Sequence, residues 1–212
     1  MKKYIEDLIK RYPKLEIVSE SILQAYKLLE EGYKGGGKLL VAGNGGSASD
    51  AEHIVGELMK GFVLSRKIDD ELRSSLIEAD EIIGTELAEG LQGALPAIAL
   101  CGHNSLSTAI LNDINGTIGF AQQLHGYGRQ GDVFLGISTS GNSKNILQAA
   151  VVAKAKGIKV IGLTGESGGK LLDYADVIIK IPEKETHKIQ ELHLPVYHCL
   201  CIMLEERFFG HG

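Results

Sequence analysis

The chain has 212 residues, enough for one domain with a sizeable core. Its 44% hydrophobic and 23% charged residues describe an ordinary globular protein rather than a disordered or fibrous one. A net charge of −5 with no stripe of Lys and Arg argues against nucleic acid as the main partner, while leaving room for a local pocket that takes a small phosphate.

The N-terminal MKKYIEDLIKRYPKL is charged throughout and lacks the apolar core of a signal peptide, and no segment approaches the roughly 18 apolar residues of a membrane span. Cys101, Cys199 and Cys201 have no disulfide-framework spacing, and positions i and i+2 of a helix diverge, so Cys199 and Cys201 do not share a metal and all three read as buried apolar filler. A cytoplasmic location and no membrane partner are expected.

Residues 3–32 carry helical periodicity (Ile5, Leu8, Ile9; then Ile17, Ile22, Leu23, Tyr26, Leu28, Leu29), with Pro13 as the interruption. After the breaker GYKGGG, the short apolar runs KLLVAG, PAIALC, DVFLGIS, KVIGLTG and VIIKIP alternate with helical stretches at 103–111, 142–156, 169–174 and 187–209. Buried strands alternating with helices predict a parallel sheet covered on both faces. The expected fold class is a three-layer α/β/α flavodoxin-like domain with five parallel strands, a single domain spanning 1–212. Its surplus N-terminal helices, 1–34, are free for subunit packing in a homodimer or homotetramer. Residues 66–93 form an acidic helical insertion (Leu72, Leu76, Ile82, Ile83, Leu87, Leu91), read as a solvated excursion or as a lid or wall of a neighbouring subunit's pocket.

Ligands of open α/β sheets bind beyond the C-terminal strand ends. There the chain places Gly43-Asn44-Gly45-Gly46-Ser47, Ser138-Thr139-Ser140-Gly141-Asn142-Ser143 and Thr164-Gly165-Glu166-Ser167-Gly168-Gly169. Four of the six positions 138–143 are hydroxyls at a helix N-terminus, where free amides and the helix dipole favour a phosphate; a simple cap needs only one such residue. Neither a Walker Lys nor G-x-G-x-x-G with a ribose-binding acid is present, so a small phosphorylated molecule suits the cradle better than a nucleotide.

His53 and Glu57 lie one helical turn apart, a spacing that surface pairs share. KIQELHLPVYH adds Gln190, Glu191, His193 and His198, with Gln190 and His198 about 80° apart on a helical wheel. A core histidine is one reading of this second group. Two imidazoles, a carboxylate and a carboxamide also match the N/O ligand set of a divalent ion such as zinc.

AGNGGSASDAEH, Asn112-Asp113, GDVFLGISTSGNS, KVIGLTGESGGK and IQELH…H together resemble the sugar isomerase (SIS) domain superfamily and, within it, the phosphoheptose isomerases. The resemblance spans nearly the whole chain apart from 66–93. It implies interconversion of sedoheptulose 7-phosphate and D-glycero-D-manno-heptose 7-phosphate, feeding activated heptose for surface polysaccharide, by a cytoplasmic homotetramer whose sites draw on adjoining subunits. It implies that Asn44, Gly45, Gly46, Ser47, Asn112 and Asp113 line the sugar and that Ser138, Thr139, Ser140 and Ser143 grip the phosphate. It also implies that His53, Glu57, Gln190 and His198 ligate zinc, with Glu57 and Gln190 reaching substrate as well. Proton transfer through an enediol needs a base, an acid and a positive centre, and these roles fall to Glu57, His198 and the metal.

The chain departs from compact members of that family in its 66–93 excursion. Gly61 stands where some relatives carry an Arg, leaving Lys60 or Arg66 as stand-ins. Ile114-Asn115-Gly116 differs from the usual turn, and Pro195 lies inside the last helix, where a kink alters the spacing of Gln190 and His198. Two alternatives stand beside the heptose reading: an isomerase of another sugar phosphate, and a noncatalytic SIS-domain tetramer that binds a replication-initiator type of partner.

Overall fold

The computed structural model describes residues 1–210. Helix α1 (Lys2–Arg11) stops before Pro13, which opens a short segment of tighter helix, Pro13–Val18, leading into α2 (Ser19–Lys34). Proline tolerates that first-turn position because its missing N–H has no intrahelical partner there. Both helices bury one stripe (Ile5 and Leu8; Ile22, Ala25, Tyr26 and Leu29), but Ile17 points outward at 78% exposure, off the face its spacing suggested.

The remaining order is β1 (Leu39–Ala42), α3 (Gly46–Met59), α4 (Asp70–Ala79), α5 (Glu81–Gly90), β2 (Ala97–Ala99), α6 (Asn104–Ile110), α7 (Gly119–Tyr127), β3 (Val133–Ile137), α8 (Lys144–Ala155), β4 (Lys159–Thr164), β5 (Val177–Lys180) and α9 (Thr186–Phe209). The five strands pair in parallel in the order β2-β1-β3-β4-β5, with Val41 beside Ala99 on one side and Leu135 on the other. Alternation along the strands divides the core. Leu39, Val41, Leu135, Ile161 and Leu163 face α1, α2, α3 and α9, whereas Leu40, Phe134 and Val160 face α7 and α8. The chain leaves β1 toward opposite edges to form β2 and β3, so the crevice for a ligand opens between the ends of β1 and β3.

Four expectations change in detail. Strand β2 is only three residues long, and α7, which the glycines at 116, 119 and 126 conceal in the sequence, packs beneath the sheet with buried Gln123 donating to the Leu100 carbonyl at 2.8 Å. Cys199 and Cys201 are buried as filler, but Cys101 is only half-buried. Pro195 leaves α9 continuous from Thr186 to Phe209.

Helices α4 and α5 form a hairpin whose ends are capped by side chains: Asp69 accepts from Leu72 N (2.7 Å), and Asp80 from Ile82 N (3.0 Å) and Ile83 N (2.8 Å). Gly84 is required where the helices meet, since a Cβ there falls 2.0 Å from the Leu76 carbonyl oxygen. An antiparallel bridge between Lys67 and Gln92 closes its base. The excursion is helical as its period predicts, yet Ile82 is 82% exposed and Leu72, Ile83, Leu87 and Leu91 also stay open to solvent.

Candidate active site

Helix α3 starts at the mouth of the crevice and α9 runs beside it, and their facing sides bring together residues about 145 positions apart. His53 Nε2 lies 3.1 Å from Glu57 Oε1 and 3.4 Å from His198 Nε2, and the two imidazoles meet edge-on with centroids 5.0 Å apart. Phe62 closes one side of His198 at 5.1 Å. Burial, followed by the neighbouring His53, lowers the His198 pKa and so keeps that imidazole neutral, with a free lone pair, near neutral pH.

Gln190 arrives on the same helix as His198. A Cβ on Gly46 falls 2.7 Å from Gln190 Nε2, which places the carboxamide directly against the first turn of α3. The four residues of the expected ligand set therefore come from these two helices. Their neighbours in the sequence do not join them: His193 is wholly buried with both ring nitrogens lacking a hydrogen-bond partner, and Glu191 is exposed. The IQELH segment thus contains both a core histidine, His193, and one expected ligand, Gln190.

The His53, Glu57 and His198 donors stand at spacings that would suit a tetrahedral zinc ion. Zinc bonds of about 2.0–2.1 Å put neighbouring ligand atoms about 3.3 Å apart, close to the two separations at His53 Nε2. The shell is not closed: among the described residues no three His, Cys, Asp or Glu side chains form a ready-made metal-binding group. The edges shared at His53 and the residues behind them carry the fit.

Those residues were not visible in the sequence. The Tyr197 hydroxyl lies 3.0 Å from His53 Nδ1 and 3.3 Å from Asp50 Oδ1. A chain in which Nδ1–H donates to Tyr197 and Tyr197 donates to Asp50 leaves Nε2 free as a ligand, the usual support for a metal-bound histidine. Burial raises the Asp50 pKa, an effect that the Tyr197 hydrogen bond and His53 partly offset. The three-residue spacing of Asp50 and His53 on a helix was the available signal.

The hydroxyl-rich loop sits at the N-terminus of α8. Ser138 Oγ and Ser143 Oγ are 2.9 Å apart, and Ser143 occupies the cap position without capping through its side chain, so its hydroxyl is not committed to the helix. Ser140 Oγ accepts from Asn142 N at 3.2 Å. Gly141 (φ +66°) lets this loop touch the next one, because a Cβ would lie 1.9 Å from the Gly168 carbonyl oxygen. A cavity of about 250 Å³ bounded by Thr139, Ser140, Asn142, Gly165 and Ser167 lies there. Its rim carboxylates, Glu166 and Glu183, are paired with Lys184 (3.3 Å) and Lys14 (2.5 Å).

Asn44 connects this cradle to the first turn. Its amide and that of Asn145 exchange hydrogen bonds of 3.0 and 2.8 Å, tying the β1–α3 turn to the start of α8. Ser47 is buried, while Asn44, Gly45 and Gly46 face solvent. Asn112 and Asp113 are exposed in a widened turn, Leu111–Asn115, and bond each other at 2.7 Å; among the described residues neither joins the His53 cluster by a hydrogen bond.

Of the two stand-ins for the missing arginine, Lys60 meets Glu57 Oε2 at 2.9 Å. Arg66 does not face the site. Its side chain is fully buried against Glu205, because the 62–66 loop turns inward under the end of α9. A larger cavity, about 550 Å³, also lies elsewhere, between the α4–α5 hairpin and the segment Ser65–Ile68.

The SIS domain family matches residues 85–165. Over its length the chain is 39% identical to a phosphoheptose isomerase of Aneurinibacillus thermoaerophilus, covering 97% of this chain and 96% of that one. It is 37% identical to one of Sulfurimonas denitrificans, covering 100% and 99%. The chain belongs to the phosphoheptose isomerase family. Two solved phosphoheptose isomerases share this family fold: one from Francisella tularensis (TM-score 0.76, 32% identity, covering 97% of this chain and 96% of that one) and one from Neisseria gonorrhoeae (TM-score 0.71, 33% identity, 95% of each). The five-stranded order and the α3–α9 pairing described above are thus set within a family scaffold, and among the described residues no helix is long and apolar enough to cross a membrane.

Proposed function

We propose that this protein is an aldose–ketose isomerase that converts sedoheptulose 7-phosphate to D-glycero-D-manno-heptose 7-phosphate. The observation that carries the reading is the meeting of His53, Glu57 and His198 from two distant helices, in a fold whose hydroxyl-rich α8 N-terminus offers a phosphate seat. The phosphate is gripped by Ser138, Thr139, Ser140 and Ser143 and the free amides of α8. Asn44 to Ser47, with Asn112 and Asp113, line the sugar.

His53, Glu57, Gln190 and His198 are the residues that would hold a zinc ion. When bound, it supplies a positive centre that stabilises the enediolate oxygen. The Glu57 carboxylate removes a proton from C1 of the ketose while neutral His198 gives its ring N–H proton to the C2 carbonyl oxygen; the enediol follows. His198 then takes the O1 proton as Glu57 returns its proton to C2, leaving the aldose. The proton on C1 has moved to C2, and the oxygens have exchanged one.

Lys60 Nζ stands 2.9 Å from Glu57 Oε2, beside the carboxylate assigned as the base. The exposed apolar residues of the α4–α5 hairpin and the N-terminal helices fit burial in a cytoplasmic homotetramer. Heptose made this way would enter surface-polysaccharide synthesis.

The test is a screen of zinc-loaded and chelator-stripped protein against C5, C6 and C7 ketose phosphates. Aldose is expected from sedoheptulose 7-phosphate with the zinc-loaded form alone, and Glu57→Gln is expected to lower kcat by at least about 100-fold with an unchanged Tm. Turnover of a shorter ketose phosphate only would reassign the substrate. No turnover and no bound zinc would point to a noncatalytic binding protein.

A further inference from the structure

Helix α3 ends without a glycine cap. Lys60, the residue after its last turn, is extended (φ −142°, ψ 174°), so the final carbonyls need partners from elsewhere. Arg66 supplies them: its Nη2 donates to the Glu57 carbonyl at 2.9 Å and its Nη1 to the Leu58 carbonyl at 2.7 Å. Its Nε donates to Glu205 Oε1 at 2.8 Å, and the Phe209 ring lies 4.8 Å from the guanidinium carbon.

Glu205 completes the clamp from α9. Its carboxylate accepts from the backbone amides of Phe62 (2.7 Å), Val63 (2.8 Å) and Leu64 (3.1 Å) as well as from Arg66. The Arg66 and Glu205 side chains are 0% and 1% exposed. Glu205 lies seven residues after His198, two turns along and about 20° around the same helix. One end of the pair therefore grips the backbone of Glu57, and the other stands on the helix that delivers His198. Phe62, whose amide Glu205 holds, packs on the His198 ring.

We infer that the buried Arg66–Glu205 pair positions the site, fixing Glu57 on α3 relative to His198 on α9. A planar guanidinium suits this task because three N–H groups leave it in fixed directions toward two carbonyls and a carboxylate; a lysine ammonium cannot reproduce that fork. The inference rests on the isomerase reading for its catalytic arm and on the donor set alone for its metal arm.

The experiment compares Arg66→Lys and Glu205→Gln with Phe134→Leu, a core substitution on the opposite face of the sheet that lowers Tm without touching the pair. Zinc affinity is measured by chelator competition, and kcat and KM on sedoheptulose 7-phosphate, each well below the variant's own Tm. Arg66→Lys and Glu205→Gln are expected to weaken zinc binding by about tenfold or more and to lower kcat by a similar factor, with KM within about twofold. Phe134→Leu is expected to change none of these by more than about twofold.

Zinc affinity and kcat no worse in the pair variants than in Phe134→Leu would overturn the proposal and leave the pair a stabilising contact. Should both pair variants fail to fold, Phe209→Leu, which removes only the ring over the guanidinium, carries the same comparison, and unchanged zinc affinity there would count against it. A wild type that binds zinc but isomerises no ketose phosphate defeats the functional reading alone, since the zinc arm still decides the positioning role.

Discussion

Gly46 lacks a side chain where Gln190 needs the room. A methyl at position 46 would sit 2.7 Å from Gln190 Nε2 and 3.1 Å from its Cδ, closer than side chains approach. The Gly46 backbone itself is not left-handed, so alanine meets no conformational penalty, and a flexible carboxamide can swing aside at little cost in stability. Gly46→Ala should therefore weaken zinc binding by about tenfold while moving Tm little, as read by chelator competition and calorimetry. Retained zinc affinity would remove Gln190 from the ligand set. Asp50 and Tyr197 act at the same scale. They matter through the nitrogen of His53 that faces away from Glu57 and His198.

At the scale of elements, α9 does the most. It carries Gln190, His198 and Glu205 on its way along the sheet, and it is tied to α2 by Arg207, whose Nε meets Glu30 Oε1 at 2.5 Å. Lys34 meets the same carboxylate oxygen at 2.7 Å. Burial alone raises the Glu30 pKa, but hydrogen bonds from Lys34, Arg207 and Tyr26 outweigh it and hold the group down at about 2. A carboxylate with a depressed folded-state pKa stabilises above its unfolded value of 4.5 and loses that stabilisation as the pH falls toward 2. Its cationic partners are nearly half exposed, so solvent screening reduces the contribution to about 1 kcal/mol. Urea denaturation should show Glu30→Gln less stable by that amount at pH 7, with the gap closing below pH 4.5.

The molecule as a whole carries a second, earlier acid weakness. His193 is 0% exposed, and burial depresses its pKa from 6.5 to about 4 despite a weak contribution from the Thr164 backbone. The folded state must hold this ring neutral, so the unfolded chain binds the extra proton between those values and stability falls as the pH drops from 6.5 to about 4. The full effect is about 3 kcal/mol. His193→Gln is expected to flatten this part of the pH–stability curve, measured by denaturant unfolding from pH 7 to 4.5. An unchanged slope would mean that the ring finds a partner for its proton in the folded protein. The two acid weaknesses are separable because the windows of His193 and Glu30 barely overlap.

Much of this architecture was legible in one dimension. Short β-branched runs between helical periods demand buried parallel strands, and Pro13 demands a break, because both are local consequences of backbone geometry. The hydroxyl-rich 138–143 loop announced an anion seat for the same reason: its chemistry lies in consecutive residues. Helix α7 escaped notice because Gly116 just before it and Gly119 and Gly126 within it blur its period, and its buried polar residue, Gln123, finds its partner across the fold.

Tertiary structure alone decided everything that depends on residues distant in the chain. It separated His198, turned toward His53, from His193, sealed in the core five residues before it on the same helix. It moved Arg66 from a stand-in for the arginine of some relatives to a buried clamp, since nothing in its neighbours reveals that Glu205, 139 positions later, waits for it. Helical spacing determines which face a side chain occupies; only the packing of one helix on another determines what that face meets.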